Sequence, residues 1–219
     1  MGSAGRPDRR IRSDGARSRL AILDTAVALT TVVGLDGLSI GGLADQAGIS
    51  KSGLYAHFGS KEELQLATVE VATDRFLTTV VRPALAQPEP LLRLHALCEN
   101  FLVQLENDVL PGGCFFVSVN AEFDTRPGAV RDRLAELHST WLRTLREQYA
   151  EVQAAGLLSR EDSPEQAAFE LNAYLHMANN MYVLYREAAY LKLARQSVAN
   201  RLRSSRPAAR SQPATDSTG

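Results

Sequence analysis

A group of cationic and hydrogen-bonding side chains lies between residues 51 and 61, and its members are Lys51, Ser52, Tyr55, His57 and Lys61. Ammonium and imidazolium groups bind anionic oxygens, and hydroxyl groups donate to phosphates and to the edges of nucleobases. Each of these residues taken alone is an ordinary surface side chain. The sequence has only three lysines, however, and two of them, Lys51 and Lys61, belong to this group. We interpret the group as a surface that contacts phosphates and bases.

The residues before this group predict a short helix and a tight turn. Ser39 is a suitable N-cap, and it precedes the apolar residues Leu43, Ala44 and Ala47. Gly48 can adopt the positive φ of a tight turn between helices. Gly48 also follows Ala44 by four residues, so small side chains on one face would let the next helix cross close by.

The following residues predict two more helices in immediate succession. Ser50 or Ser52 can cap the second helix, and its buried side would carry Ile49, Leu54 and Phe58. A capping box over residues 60–63, with serine first and glutamate three residues later, begins the third helix. Two short helices joined by a glycine turn, with polar residues at the exposed end of the second, are typical of a helix-turn-helix that enters the major groove of DNA.

The run from Gly48 to Leu64, GISKSGLYAHFGSKEEL, resembles the signature of the tetracycline-repressor-like (TetR) transcriptional regulators. The segments ILDTA (22–26) and GLDGLS (34–39) are similar to that family's first helix and its exit, so the resemblance covers about residues 17–66. It implies base contacts from Lys51, Ser52 and Tyr55, with Gly53 allowing close approach. It also implies phosphate contacts from Ser39, His57 and Lys61, and Tyr55 could contact either.

Gly41 and Gly42 depart from a strongly helical pattern in the first turn of the helix after Ser39. Each glycine costs about 0.5–1 kcal/mol relative to alanine inside a helix. We therefore expect either a later helix start or a helix that is loosely formed until DNA binds.

Composition and charge are consistent with a DNA-binding protein that is not generally basic. Hydrophobic residues make up 45% of the 219 residues, and there is neither an apolar run long enough for a membrane helix nor an N-terminal apolar signal segment, so we expect a cytoplasmic protein. The net charge is +3 over residues 1–61, −7 over 62–200 and +3 over 201–219. A polyanion would therefore attract the N-terminal block and repel the body.

Apolar residues recur with helical spacing along the chain, and no segment alternates clearly as a strand. The sequence predicts an all-α fold: an N-terminal three-helix helix-turn-helix DNA-binding domain over 17–66, with a connecting helix running to about 82 and stopped by Pro83, and a helical body over 83–203. Residues 1–16 are predicted to be a disordered basic arm, with additional DNA contact as the alternative, and 204–219 a disordered tail. The body's predicted helices are 91–107, a short segment at 114–121 that could also be a strand, 126–155, 164–185 and 187–203.

The last two helices are the predicted dimer interface. A helix-turn-helix protein commonly reads two half-sites with two copies, about 34–36 Å apart, and the resemblance implies a four-helix bundle between two copies. The candidate residues, for which packing inside one chain is the alternative, are Ala167, Leu171, Tyr174, Leu175, Ala178, Met181, Tyr182, Tyr185, Leu191, Ala194, Val198 and Leu202.

The resemblance also implies a small-molecule pocket in the body. Its candidate residues are polar or aromatic side chains on otherwise apolar faces: Phe115, Asn120, Trp141, Asn172, His176 and Asn179. Ordinary core packing is the alternative for each. The four histidines lack metal-ligand spacing, and no cofactor is predicted. Cys98 and Cys114 could form a redox sensor or could be plain buried residues.

Three functions follow from these observations. The first is a homodimeric regulator, a repressor that occupies a palindromic operator and is released by a small-molecule effector. The second is a DNA-binding regulator without such an effector, controlled by a protein partner. The third, an α-helical enzyme, has no catalytic motif to support it.

Overall fold

The computed structural model describes residues 8–204, and side chains from residue 18 to residue 203. The described chain is helical and contains no strand. Its elements in order are α1 (Asp8–Val33), α2 (Ile40–Ala47), α3 (Lys51–Phe58), α4 (Lys61–Phe76), a π-helical segment (Leu77–Val81), α5 (Arg82–Leu85), α6 (Pro90–Glu106), α7 (Phe115–Phe123), α8 (Ala129–Ala154), α9 (Pro164–Tyr185) and α10 (Ala189–Ser204).

Side-chain caps fix the beginnings of α2, α3 and α4, as the sequence predicts. Ser39, Ser50 and Ser60 each have extended backbone and accept a hydrogen bond from the amide three residues later, at 3.0–3.1 Å. Gly48 ends α2 with φ of 67°, the left-handed conformation expected of it. The two glycines of α2 do not delay its start, because Ser39 caps the amide of Gly42 directly.

The connecting helix does not stop at Pro83, which corrects the sequence prediction. A π-helical segment precedes the proline, and the amide of Arg82 donates to the carbonyl of Leu77, five residues back. Proline within an α-helix loses one hydrogen bond and clashes with the carbonyl of the preceding turn. The wider π turn accommodates it here, so helical structure continues to Leu85.

Two buried clusters form the core, and α7 belongs to both. The cluster of the N-terminal head contains residues of α1–α4 together with Phe115, Val119 and Phe123 of α7. The cluster of the body contains residues of α5, α6, α8, α9 and α10, and Phe116 of α7 packs against both clusters. The helix that follows the Pro-Gly-Gly break is therefore shared between head and body, and the strand alternative for 114–121 is wrong.

The ends of the chain differ from prediction where the structure describes them. Helix α1 begins at Asp8, so residues 8–16 are helical and not an irregular arm. Residues 1–7 of the predicted arm and 205–219 of the predicted tail lie outside the described residues. Within the described range, the helices lack the combined length and apolarity that crossing a bilayer requires.

Helices α9 and α10 carry two apolar stripes, and the residues predicted from the sequence to form the dimer interface lie mostly on the inner, buried one. Most of the predicted interface residues, among them Leu171, Leu175, Leu191 and Val198, are buried in the protomer's own core. Tyr185 is the predicted interface residue that is exposed, and the other large exposed apolar side chains of these two helices were not predicted: Phe169, Met177, Leu184 and Leu193.

Candidate nucleic-acid interface and ligand cavity

Helix α3 presents the predicted base-contacting side chains to solvent. Lys51, Ser52 and Tyr55 are all exposed, while Leu54 and Phe58 on the same helix are fully buried against the head. Gly53, in the first turn, donates its amide to the Ser50 cap. The helix is thus held by its apolar side, and its polar side remains available to a partner.

Lys51 extends from α3 across the first turn of α2. A Cβ built on Gly41 would lie 3.2 Å from Lys51 Cε and 3.3 Å from Nζ. Gly41, although unfavourable for helix formation, therefore leaves room for the side chain of Lys51. Ser39, the exposed N-cap of α2, precedes Gly41 by two residues, so Ser39 and Lys51 lie at the N-termini of two successive helices.

His57 and Lys61 already make contacts within the chain, which the sequence did not predict. His57 is half-buried next to Phe58, with ring centroids 6.1 Å apart. The ammonium of Lys61 donates to the carbonyl oxygen of Asp36 at 2.6 Å and to its Oδ1 at 2.9 Å. The bond from Lys61 to the carboxylate, and then the bond from Arg126 at 2.6 Å, lower the pKa of Asp36. Lys61 remains about half exposed and keeps a donor for a phosphate.

Arg19 is a cation at this surface that sequence reasoning missed. It is exposed on α1, and its guanidinium lies over the Phe58 ring at 4.7 Å from the centroid. Arg19 lies just beyond the predicted basic arm, which ended at residue 16. Because Phe58 is the last residue of α3, this stacking places the Arg19 guanidinium beside α3.

A carboxylate of α7 fastens the head to the body at the turn between α1 and α2. Glu122 accepts from the amides of Leu35 at 2.7 Å and Asp36 at 2.8 Å. A Cβ on Gly34 would lie 3.0 Å from both carboxylate oxygens, and Gly34 has φ of +80°, so glycine is needed there on both counts. Arg126, just beyond α7, holds the side chain of Asp36 from the same direction.

A second connection joins α4 to α8. Arg133 binds Glu70 through two parallel hydrogen bonds, at 2.6 and 3.0 Å, and also binds Glu136 at 2.7 Å. Bidentate guanidinium–carboxylate pairs fix orientation as well as distance. The head is therefore attached to the body through α7 and through the α4–α8 pair.

A cavity of about 300 Å³ lies in the body between α4, α6, α7, α8 and α9. Its aromatic wall is centred on Phe76, whose ring meets Trp141 at 5.2 Å, Phe116 at 5.7 Å and Phe101 at 6.4 Å, all edge to face. Phe76 is the last residue of α4 and Leu77 the first of the π-helical segment, so the irregular turn forms part of the wall.

The polar residues of the cavity carry little net charge. Burial, and to a lesser extent neighbouring His138, lowers the pKa of His176 to about 4, and burial lowers the pKa of His138 as well. Arg133 is paired with Glu70 and Glu136. The Oδ1 atom of Asn120 is buried and has no hydrogen-bond partner within the described part of the chain.

Only some of the predicted ligand residues line this cavity. Asn120, Trp141 and His176 do, and Asn172 lines an adjoining, more open pocket of about 440 Å³ while accepting from the Trp141 indole at 3.0 Å. Phe115 faces the head's core instead. Asn179 accepts from the amide of Cys114 at 2.7 Å, which is a structural role. The main residues that sequence reasoning missed are Phe76, Phe101, Phe116, Arg133 and His138.

The cysteines are buried, which argues against the redox-sensor alternative. Burial raises the pKa of Cys98 to about 12 and that of Cys114 to about 11. The thiolate is the reactive form of cysteine, and both residues are held in the thiol form at neutral pH.

The neutral His176 makes stability depend on pH. Below about pH 6.5 the unfolded chain binds a proton that the folded chain binds only below about pH 4, so folded-state stability falls as the pH drops through this window. We expect this group to contribute about 1–2 kcal/mol to the loss, allowing for its partial exposure.

Urea unfolding of the wild type and of His176→Gln between pH 7 and pH 4 measures this contribution. The variant should have the shallower pH dependence, while the exposed His95→Gln serves as control. Equal slopes for wild type and His176→Gln would contradict the assignment.

Comparisons with known families match both parts of the chain. The tetR family of bacterial regulatory proteins matches residues 22–68, and the tetracyclin repressor-like C-terminal domain matches residues 90–198. The HTH-type transcriptional activator FasR of Mycolicibacterium smegmatis is 32% identical over 99 residues, which are 45% of this chain and 44% of the relative. The match thus spans less than half of that curated relative.

Solved structures share the whole architecture. A TetR regulator from Chloroflexus aurantiacus has a TM-score of 0.76 at 25% identity, covering 86% of this chain and 95% of its own. One from Agrobacterium tumefaciens has a TM-score of 0.78 at 17% identity, covering 88% and 100%. AibR, solved with isovaleryl coenzyme A and operator DNA, has a TM-score of 0.68 at 21% identity, covering 84% and 97%.

Proposed function

The chain belongs to the TetR family of bacterial regulatory proteins, and we propose that it is a repressor that binds a palindromic operator as a homodimer and is released by a small molecule. Members of this family are DNA-binding transcriptional regulators; they bind operators as dimers, and some bind small-molecule ligands. The observation that carries the proposal is the position of α7, which lines the cavity on one side and holds the reading head on the other.

DNA binding by this chain is assigned to the exposed side of α3. Lys51, Ser52 and Tyr55 contact base edges in the major groove, and Ser39, His57 and Lys61 contact phosphates on either side. Arg19 adds a further phosphate contact. Base contacts from one short helix give limited specificity, so two copies read two half-sites.

Release is assigned to α7. Asn120 of this helix borders the cavity, and Glu122, two residues later, caps the amides of Leu35 and Asp36 in the head. A ligand that binds better when α7 is displaced shifts the population toward a different head position. Operator affinity then falls by the same factor by which DNA weakens ligand binding.

A specific observation favours a second candidate function, an activator. The curated relative FasR is named a transcriptional activator, and the sign of regulation depends on where the operator lies relative to the promoter. Control by a protein partner without any small molecule is less favoured, because the body encloses an aromatic cavity of about 300 Å³.

Selection of bound sequences from random DNA, followed by transcription from the selected operator in a reporter, tests the proposed function. A palindromic consensus and lower transcription in the presence of the protein support a repressor, and higher transcription supports an activator. Failure to select any consensus would contradict sequence-specific DNA binding.

Substitutions on α3 and α4 separate base contacts from phosphate contacts. Lys51→Ala and Ser52→Ala should relax the preference at particular operator positions, by about 1–3 kcal/mol for each good contact. Lys61→Ala should weaken binding to all sequences alike and reduce the salt slope by about one. Binding selections and salt titrations measure both effects, with Lys192→Ala on α10 as the matched control. A position-specific loss in Lys61→Ala would contradict its assignment to phosphate.

A further inference from the structure

We infer that the effector is an uncharged aromatic molecule with a hydroxyl or amine donor, which lies among Phe76, Phe116 and Trp141 and donates a hydrogen bond to Asn120 Oδ1. This inference rests on the proposed function, because it names the ligand class of the same cavity. Three observations lead to it: the aromatic wall, the neutral lining and the unpartnered amide oxygen.

The wall favours a flat aromatic ligand. The ring of Phe76 meets three other aromatic rings edge to face. Leu77, Val81 and Leu137 complete an apolar lining. Rings gain about 0.5–1.5 kcal/mol per well-oriented aromatic pair beyond their burial. A ligand ring inserted here continues the existing edge-to-face packing.

The lining disfavours an ionised ligand. Arg133 is the guanidinium in the cavity wall, and three of its five N–H donors already bind two carboxylates, Glu70 through two hydrogen bonds and Glu136 through one. His138 and His176, which lie 5.9 Å apart by ring centroids, are half-buried on the same wall and are neutral at physiological pH. A carboxylate would be buried there without a counter-ion, which is costly.

Asn120 supplies the directional contact. Its Oδ1 is one of two buried side-chain polar atoms without a hydrogen-bond partner among the residues that the structure describes, the other being Thr30 Oγ1 in the head. An unsatisfied buried acceptor costs about 1–3 kcal/mol, which a ligand donor can recover. Asn120 lines this cavity as well as the adjoining pocket, and a rotation of its amide presents the buried Oδ1 to a ligand's donor inside the cavity.

Trp141 allows binding to be followed directly. It is the sole tryptophan of the chain, and its ring forms part of the cavity wall. A ligand seated against Phe76 also contacts this indole, so intrinsic tryptophan fluorescence reports occupation of this cavity.

Three probes with one hydrocarbon skeleton test the inference on the full chain: 4-tert-butylphenol, 4-tert-butylanisole and 4-tert-butylbenzoate. Fluorescence titration, excited at the red edge of tryptophan absorption, gives the three affinities. The phenol should bind about tenfold tighter than the anisole, which lacks the donor. The benzoate, which is ionised at neutral pH, should bind most weakly.

Asn120→Leu isolates the hydrogen bond. In this variant the phenol and the anisole should bind equally, within about twofold, while Asn107→Leu at the exposed end of α6 should keep the tenfold preference. Equal affinity of the two probes for the wild type, or a preference for the benzoate, overturns the inference without need of any variant. Tighter binding of isovaleryl coenzyme A than of the phenol overturns it as well.

The inference and the proposed function fail separately. Tryptophan fluorescence requires no DNA, and operator selection requires no ligand. A protein that selects a palindrome but prefers the benzoate or the thioester retains the proposed function and loses the inference. A protein that prefers the phenol but selects no DNA sequence retains the cavity assignment and loses the proposed function.

Discussion

Glu122→Ala should lower the free energy of unfolding by about 2–4 kcal/mol. The substitution removes two carboxylate hydrogen bonds, to the amides of Leu35 and Asp36, at 2.7 and 2.8 Å. Hydrogen bonds to charged groups are worth about 1.5–3 kcal/mol each, and the loss leaves the amide of buried Leu35 without a partner. Water can replace the carboxylate only at the exposed Asp36, which keeps the expected loss below the sum of two full bonds.

The same substitution should loosen the head relative to the body. With Glu122 gone, the side-chain pair of Asp36 with Arg126 still joins the turn between α1 and α2 to the residues beyond α7, but this pair is about half exposed and contributes little. Hydrogen exchange of the amides of Leu35 and Asp36 should therefore accelerate. Any probe that releases the wild type from its operator should have a smaller effect on the variant.

Glu147→Ala provides the matched control for this prediction. Glu147 is an exposed glutamate of α8 whose ion pairs with Arg143 and Arg146 are long, at 4.0 and 3.8 Å. Its removal should change stability by less than about 0.5 kcal/mol. Urea denaturation compares the two variants, and a loss in Glu122→Ala no larger than in Glu147→Ala would show that the head is not anchored by this carboxylate.

Local chemistry explains why the head could be predicted from sequence. The caps at Ser39, Ser50 and Ser60 act on amides three residues away, and the positive φ of Gly48 follows from the turn it must make. Such effects depend on neighbouring residues and are therefore readable from the chain alone. The same holds for α9, whose predicted bounds, 164–185, match the observed helix with Ser163 as its cap.

Long-range partners explain most of what the sequence did not reveal. Nothing near Glu122 in sequence indicates that its carboxylate caps residues 35 and 36, and nothing near Phe76 indicates that it is the centre of the cavity wall. Asn120 and Asn179 illustrate the same limit. Both are asparagines on apolar segments, but Asn179 binds the amide of Cys114 while Asn120 Oδ1 has no partner among residues 18–203.

Periodicity alone could not decide which stripe of α9 faces a second copy. Leu171, Leu175 and Ala178 lie on one side of the helix and are buried in the protomer. Phe169, Met177 and Leu184 are spaced by eight and seven residues, so they share one side of the helix. All three are exposed, so this side faces away from the protomer's core. A helix with two apolar sides needs two partners, and the described residues of the protomer cover only one of these sides.

Introducing charge on the outer stripe, with Met177→Glu and Leu184→Glu together, should dissociate the proposed homodimer. These side chains are 58% and 70% exposed in the protomer, Phe169 on the same helix is 65% exposed, and Leu193 on α10 is 58% exposed. Large contiguous apolar surfaces on a protomer mark sites of association. In a two-fold interface each substitution appears twice, so carboxylates would be buried close to one another where apolar side chains should pack.

Dissociation should reduce operator affinity by at least about a hundredfold, because a monomer reads a single half-site and loses the second set of base and phosphate contacts. Sedimentation velocity measures the oligomer, and gel shift with the selected operator measures the affinity. Leu92→Glu, an exposed leucine on α6, is the control and should leave both unchanged. If the double variant remains dimeric and binds as the wild type does, the two copies associate through another surface; if it is monomeric and retains operator affinity, two half-sites are not needed for recognition.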